Sequence, residues 1–343
     1  MDEESSQKRS ICMLTIVRKS GWLYLAMKNF VLTAGCHRPL LLTPASNYSC
    51  PVPFSVMEVE LEEADFGDKL GIRSLYQISA LQHHQQCLSS NTSIGGDATG
   101  LRAYCGSHVV TRLSAAYSRL LDGKNIVELG CGIGVCGLIG TSFSKPSLLV
   151  LTDGQERSGH IVEMNIDYVK QSEDSHIANV PTLYRRLLWG DGDATEQILH
   201  DLSRSLKPNS TFYDIVLGCE LMYYNTDVEV LVQQVMALTK GQGLFIHGHL
   251  FRGQGQEKEL ITVLAAHQWS TLEIPHKDFI SSEEMKHHIE WYRARPLISG
   301  PNEVIAQLAQ EHPTWREFKE ELTYDCEEED TDNADALLSN IFS

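Results

Sequence analysis

The sequence predicts a doubly wound α/β fold, and three observations carry the prediction. Apolar runs suited to buried parallel strands alternate with helical periodicity between residues 100 and 270, a glycine-rich stretch follows the first run, and an aspartate ends the second. Strands covered on both faces read as nearly unbroken apolar segments. Their alternation with amphipathic helices marks a parallel sheet sandwiched between helical layers.

The first run is "NIVELGCGIGVCGLIG", residues 125–140. Ile126, Val127 and Leu129 suit a buried strand, Gly130, Gly132 and Gly134 follow where the backbone must turn, and Val135, Leu138 and Ile139 recur at helical spacing. A strand, a glycine loop and a helix in that order aim backbone N–H groups at a ligand above the loop. Two registers compete. Gly132, Gly134 and Gly137 satisfy the dinucleotide pattern G-x-G-x-x-G, in which a pyrophosphate rests on the helix N-terminus. The other register begins at Glu128, two residues before Gly130. A carboxylate there repels a pyrophosphate and suits a cationic aminoacyl group, and the run Glu128 to Gly134 resembles motif I of class I S-adenosylmethionine-dependent methyltransferases.

Before the loop, residues 1 to 50 show no clean periodicity and stay unassigned. "PFSVMEVELEE", residues 53–63, places Met57, Val59 and Leu61 on one side and predicts a half-buried strand. The polar stretch 83–98 predicts a linker; His83 and His84 within it lack a second ligand pair at zinc spacing and are read as solvated. Val109, Val110, Leu113, Ala116 and Tyr117 then predict a helix within residues 99–120.

After the loop, "SLLVLTDG" predicts a second strand ending at Asp153. An acid about 20 residues past such a loop meets a ribose diol; capping a helix that starts near Gln155 is the alternative. A helix to Val169 follows, then "LYRRLLWGDGD" as a third strand ending at Trp189, and a fourth from Phe212 to Cys219 that places Glu220 and Tyr223 just past its end. In open α/β sheets, ligands bind at that carboxyl edge. Val228, Leu231, Val232 and Val235 predict another helix, "GLFIHGHL" a fifth strand with His247 and His249 as sheet residues, "KELITVLAAHQW" a helix, and "STLEI" a sixth strand.

Composition fits this picture. The 343 residues are 42% hydrophobic and 21% charged, enough for one large α/β domain with a smaller N-terminal part. A formal net charge of -17 argues against strong nucleic-acid binding, which needs a basic face. Residues 317–335 hold ten acids against one lysine, the pattern of a solvated tail. Nine cysteines without C-x-x-C spacing fit reduced thiols in the cytosol or nucleus. The apolar run Ile11 to Val17 is cut short by Arg18 and Lys19, and no segment reaches bilayer-spanning length.

The ordered set "TGLRAY", "VELGCGIG", "LLVLTDG" with Asn165 downstream, "LLWGD" and "YDIVLGCELMYY" resembles the seven-β-strand protein methyltransferases of family 16, which include protein-lysine methyltransferases, over residues 99–275. The resemblance implies a Rossmann-like, seven-stranded class I methyltransferase sheet, S-adenosylmethionine as cofactor, and transfer to a lysine amine of a protein substrate. Glu220 and Tyr223 stand at the family's D-x-x-Y or D-x-x-F motif and are the implied catalytic pair, with glutamate in place of aspartate. The implied cofactor contacts are Tyr104, where many members carry tryptophan, Glu128, Gly130, Gly132, Gly134, Asp153, Trp189 near the adenine, and Cys219. No metal, no membrane and a monomer are expected. The expected organisation is an N-terminal extension over 1–98, the methyltransferase domain over 99–315, and the acidic tail over 316–343. A noncatalytic cofactor-binding scaffold is the alternative from another class; a methyltransferase acting on histidine or a small molecule is the other. "WYRARPLISG" matches no familiar ending, and no normal last strand pair is recognised after residue 275.

Overall fold

The computed structural model describes residues 15–19, 22–26, 30–31, 43–44, 59–66, 70, 72–80, 100–171, 177–207, 209–222, 226–250, 254–287 and 294–318. Near the N-terminus, β1 (Thr15–Lys19) pairs with β2 (Trp22–Ala26), and β3 (Phe30–Val31) with β4 (Thr43–Pro44). A longer antiparallel hairpin joins β5 (Val59–Asp65) to β6 (Ile72–Ile78).

The central sheet contains β7 (Asn125–Leu129), β8 (Leu148–Asp153), β9 (Thr182–Arg186), β10 (Ile215–Cys219), β11 (Leu244–Leu250), β12 (Trp269–Glu273), β13 (Ala294–Pro301) and β14 (Arg316–Glu317). Its order is β14-β12-β13-β11-β10-β7-β8-β9. Strands β7 to β11 pair in parallel, whereas β13 runs antiparallel to both β11 and β12. The chain winds outward from β7 through β8 to β9, then returns to place β10 on the other side of β7. That reversal opens a crevice between the carboxyl ends of β7 and β10.

The apolar strand runs have a direct explanation. Successive side chains of a strand point to opposite faces, and both faces are covered. Ile126, Leu149, Leu151, Ile215, Leu217 and Ile246 enter one core. Val127, Leu129, Leu148, Val150, Val216 and Phe245 enter the other. Helices α1 (Cys105–Ala116), α2 (Val135–Gly140), α3 (Glu156–Gln171) and, near the chain end, α8 (Asn302–Glu311) contribute to the first core. Helices α4 (Gly192–His200), α5 (Val228–Thr239) and α6 (Gln254–Ala266) contribute to the second. The short helix α7 (Ser282–His287) precedes β13. Each fully buried Leu, Ile or Val contributes about 1.5–3 kcal/mol, so two such layers fix which strand edge carries the crevice.

Several boundaries differ from the sequence expectation. The third strand ends at Arg186 rather than Trp189, which frees residues 187–189 to leave the sheet. The helix expected within 99–120 starts at Cys105, and residues 100–104 form a strap of turn and bends before it. "IRSLYQI", not read as a strand, is β6 and packs Leu75 and Ile78 into the first core, together with Val59 and Phe66. "ARPLISGP" is β13, buried along most of its length between β11 and β12. A proline and an arginine in a central strand argue against that reading. The structure accommodates them because β13 is antiparallel to both neighbours, and Arg295 lies against Glu257 at 3.2 Å and Glu273 at 3.6 Å.

Candidate functional site

A cleft of about 720 Å³ occupies the crevice at the carboxyl ends of β7 and β10. Tyr104, Glu128, Gly130, Gly132, Asp153, Trp189, Cys219 and Glu220 all line it, so the fold brings these candidate residues together. Gly134 does not; it caps α2 from behind, with φ +85°. Tyr223, His83, His84 and the chain from residue 319 lie outside the described residues.

The floor is the glycine loop. Gly132 has φ +54°, and a Cβ there would stand 2.5 Å from the carbonyl oxygen of Gly100. Any side chain would push strap and loop apart, so close backbone approach explains the glycine. Asp153 ties this loop to the next helix: Oδ2 accepts the Gly132 N–H at 2.8 Å and Oδ1 accepts the Gln155 N–H at 2.8 Å. Asp153 thus bonds the backbone at the start of the next helix, the side of the capping alternative, and it also lines the cleft.

Glu128 is 1% exposed, yet it is among the residues lining the cleft. Its Oε2 accepts the Gly137 N–H at 2.8 Å. Burial pushes its carboxyl up to about 8 and Asp153 adds repulsion, against the pull of the Gly137 N–H and Cys136. Around it, Cys131, Cys136 and Cys219 are free thiols. Burial raises Cys131 and Cys219 well above the ordinary thiol range, so they stay protonated and unreactive.

Glu220 begins the segment after β10 with φ +54°, a region that a residue bearing a Cβ adopts only where its surroundings hold it there. Its N–H donates to the Gly248 carbonyl at 2.9 Å, which anchors it to β11. Its side chain lies over Gly106 of α1: a Cβ on Gly106 would come within 2.3 Å of Oε1. Absence of a side chain at position 106 leaves the space that Glu220 fills.

A further part of the wall comes from the "LLWGD" segment. Leu187, Leu188 and Trp189 follow β9, and Leu188 remains 56% exposed over the cleft. Arg102, Ser107, Arg157, Arg186 and Leu221 also line it. Arg102 sits inside the quoted "TGLRAY" and was within reach of sequence reasoning; the others carry no local signal. Among the described residues, no cluster of His, Cys, Asp and Glu is arranged to hold a metal, and no helix is long and apolar enough to cross a membrane.

This is the architecture of a class I S-adenosylmethionine-dependent methyltransferase: parallel strands ordered about a β7/β10 switch point, an antiparallel β13 set between β11 and β12, an acid ahead of a glycine loop, and a second acid ending the next strand. Residues 102–266 match a family model described as lysine methyltransferase, and over that segment the chain is similar to that family; S-adenosylmethionine is the cofactor. No curated protein matches the sequence. Similar solved structures include a Streptococcus mutans protein described as an S-adenosylmethionine-dependent methyltransferase, at 13% identity and TM-score 0.37, covering 55% of this chain and 47% of that one. The magnesium protoporphyrin IX methyltransferase of Synechocystis is 15% identical with TM-score 0.36, covering 57% and 80%. The O-methyltransferase of Bacillus cereus is 12% identical with TM-score 0.37, covering 63% and 96%. The chain thus spans about half of the Streptococcus protein.

The residues present fit the cofactor. The cleft falls within the range of about 300–1,000 Å³ usual for small-molecule sites, and two acids, Glu128 and Asp153, are among its lining residues, the acceptor chemistry that a cationic aminoacyl end and a ribose diol call for.

Proposed function

We propose that this domain methylates the side-chain amine of a lysine in a protein substrate. The observation that carries the reading is Glu220, a carboxyl group fixed by its backbone at the switch point and lying on the cleft wall beside Gly106. The family description points the same way.

In this reading Glu128 accepts from the cofactor's ammonium group, Asp153 from its ribose hydroxyls, and Gly130 and Gly132 let it approach the backbone. Tyr104, Trp189 and Cys219 supply the surrounding walls. S-adenosylmethionine, when bound, supplies an electrophilic methyl group on a sulfonium. Glu220 accepts N–H bonds from the incoming amine, orients its lone pair and favours loss of the proton to water. Tyr223 is proposed to flank the aliphatic stem and the cationic head. The protein's contribution is alignment in a water-poor cleft, because a positioned amine needs little further activation.

The test is transfer of labelled methyl groups into a cell extract, followed by peptide mapping, with wild type and Glu220→Ala compared. A discrete protein labelled on lysine, with transfer reduced about 100-fold in the variant, is the expected result. Label on histidine, RNA or a metabolite and never on lysine overturns the assignment. Cofactor binding without any transfer supports the scaffold instead.

A further inference from the structure

We propose that the β5–β6 hairpin, which precedes the matched segment, belongs to the cofactor-binding apparatus. It holds residues 100–104 as a strap across the glycine loop and neutralises Arg102 on the cleft wall, with Glu62, Gln77 and Asn165 as positioning residues. The proposal rests on the assignment of the cleft to S-adenosylmethionine.

The strap touches the loop backbone to backbone, since only hydrogen fits between Gly132 and Gly100. Gly100, Arg102 and Tyr104 of the strap line the cleft. The hairpin holds the strap at each residue between. The Ile78 N–H donates to the Leu101 carbonyl at 3.2 Å, and the Ala103 N–H donates to Gln77 Oε1 at 3.3 Å. Arg102 forks onto Glu62, Nη1 to Oε1 at 3.0 Å and Nη2 to Oε2 at 2.6 Å, while Gln77 Nε2 donates to Glu62 Oε2 at 2.7 Å.

A second bond set reaches the loop from the other side. Asn165 of α3 is fully buried. Its Oδ1 accepts the Tyr76 N–H at 2.6 Å, and its Nδ2 donates to the carbonyls of Tyr76 at 3.0 Å and Ile133 at 2.9 Å. One amide thereby joins the hairpin to the glycine loop. Hairpin, strap and loop are thereby joined, the hairpin to the strap and, through Asn165, to the loop by hydrogen bonds, and the strap to the loop by close backbone contact.

Magnitudes separate a positioning role from a stabilising one. The Arg102–Glu62 pair is 20% and 28% exposed, and ion pairs this wet add little to stability. Its planar fork does fix orientation. It also matters electrostatically, because the ligand carries a sulfonium and an ammonium, and an unneutralised guanidinium on the wall repels both. Glu62 should therefore favour the charged cofactor over its neutral-sulfur product, S-adenosylhomocysteine.

The experiment is calorimetric titration of both compounds into the full chain as wild type, Glu62→Gln, Glu62→Gln with Arg102→Met, and Asn165→Ala, with the melting temperature of each. Leu308→Ala, in α8 on the far end of the sheet, serves as the stability-matched control. Glu62→Gln is expected to weaken S-adenosylmethionine about tenfold and S-adenosylhomocysteine less, at nearly unchanged melting temperature, the scale of one charge-assisted bond. Arg102→Met in that background should restore most of the discrimination. Asn165→Ala is expected to weaken both ligands by about tenfold or more beyond the control. Binding of both ligands within about twofold of wild type by Glu62→Gln and Asn165→Ala, or losses no larger than those of Leu308→Ala at equal destabilisation, overturns the proposal. Failure of the wild type to bind either compound instead removes the cofactor assignment beneath it.

Discussion

Glu128→Gln separates the cost of burying an acid from its use. The carboxyl is 1% exposed and held at about 8 by burial, against an ordinary value of 4.5. The unliganded fold therefore binds a proton that the unfolded chain releases between those values. With more protons on the folded side, stability is full below pH 4.5 and falls as pH rises towards 8, by about 1.4 kcal/mol per pH unit. At pH 7 the cost is about 3 kcal/mol. Glutamine keeps an oxygen for the Gly137 N–H and carries no charge, so the variant should be more stable than wild type by up to that amount at pH 7 and by little at pH 5. Urea denaturation of the unliganded protein at both pH values measures it. The same substitution should weaken S-adenosylmethionine about 10- to 100-fold, because an ammonium loses its charged acceptor. Wild-type binding should release a proton near pH 7, visible as a buffer-dependent enthalpy. A stability difference that is the same at pH 5 and pH 7 would refute the reasoning.

Two further outcomes follow from the geometry. Gly106→Ala places a methyl group within 2.3 Å of Glu220 Oε1; methyl transfer should fall by about tenfold or more while cofactor affinity stays near wild type, since the displaced group serves the acceptor side. His247, stacked on Phe245 at 4.2 Å and 3.3 Å from Ser299 Oγ, is held down at about 3 by burial and by His249. Its fold contribution is complete above pH 6.5 and is lost as pH falls, so His247→Gln should gain about 2 kcal/mol relative to wild type between pH 7 and pH 5; equal denaturation midpoints shifts at both pH values would show that His247 does not titrate this way.

The antiparallel edge of the sheet shows where sequence reading ends. β13 contains Arg295, Pro296 and Gly300, residues that local propensity places outside a central strand. It is a strand because β11 and β12 already present the backbone partners it needs, and because Glu257 and Glu273 wait for its arginine. Such information resides in neighbours that are distant in sequence. The strap is similar: helical periodicity begins close to it, and the partners of its backbone at Leu101 and Ala103 come from the hairpin.

By itself the sequence determined the parts whose cause is local. Unbroken apolar runs specify strands buried on both faces, glycines at 130 and 132 specify a loop that must approach a ligand or another backbone, and acids at 128 and 153 place carboxyl groups at the ends of the first two sheet strands. Tertiary structure decided what depends on juxtaposition: that Glu128 is dry enough to hold its proton, that Glu220 fills the space left by Gly106, and that Glu62 bonds Arg102 of the cleft wall while Asn165 bonds the glycine loop. The division follows from range, since backbone preference and periodicity act within a few residues, whereas desolvation, charge and close packing act between whichever residues the fold brings together.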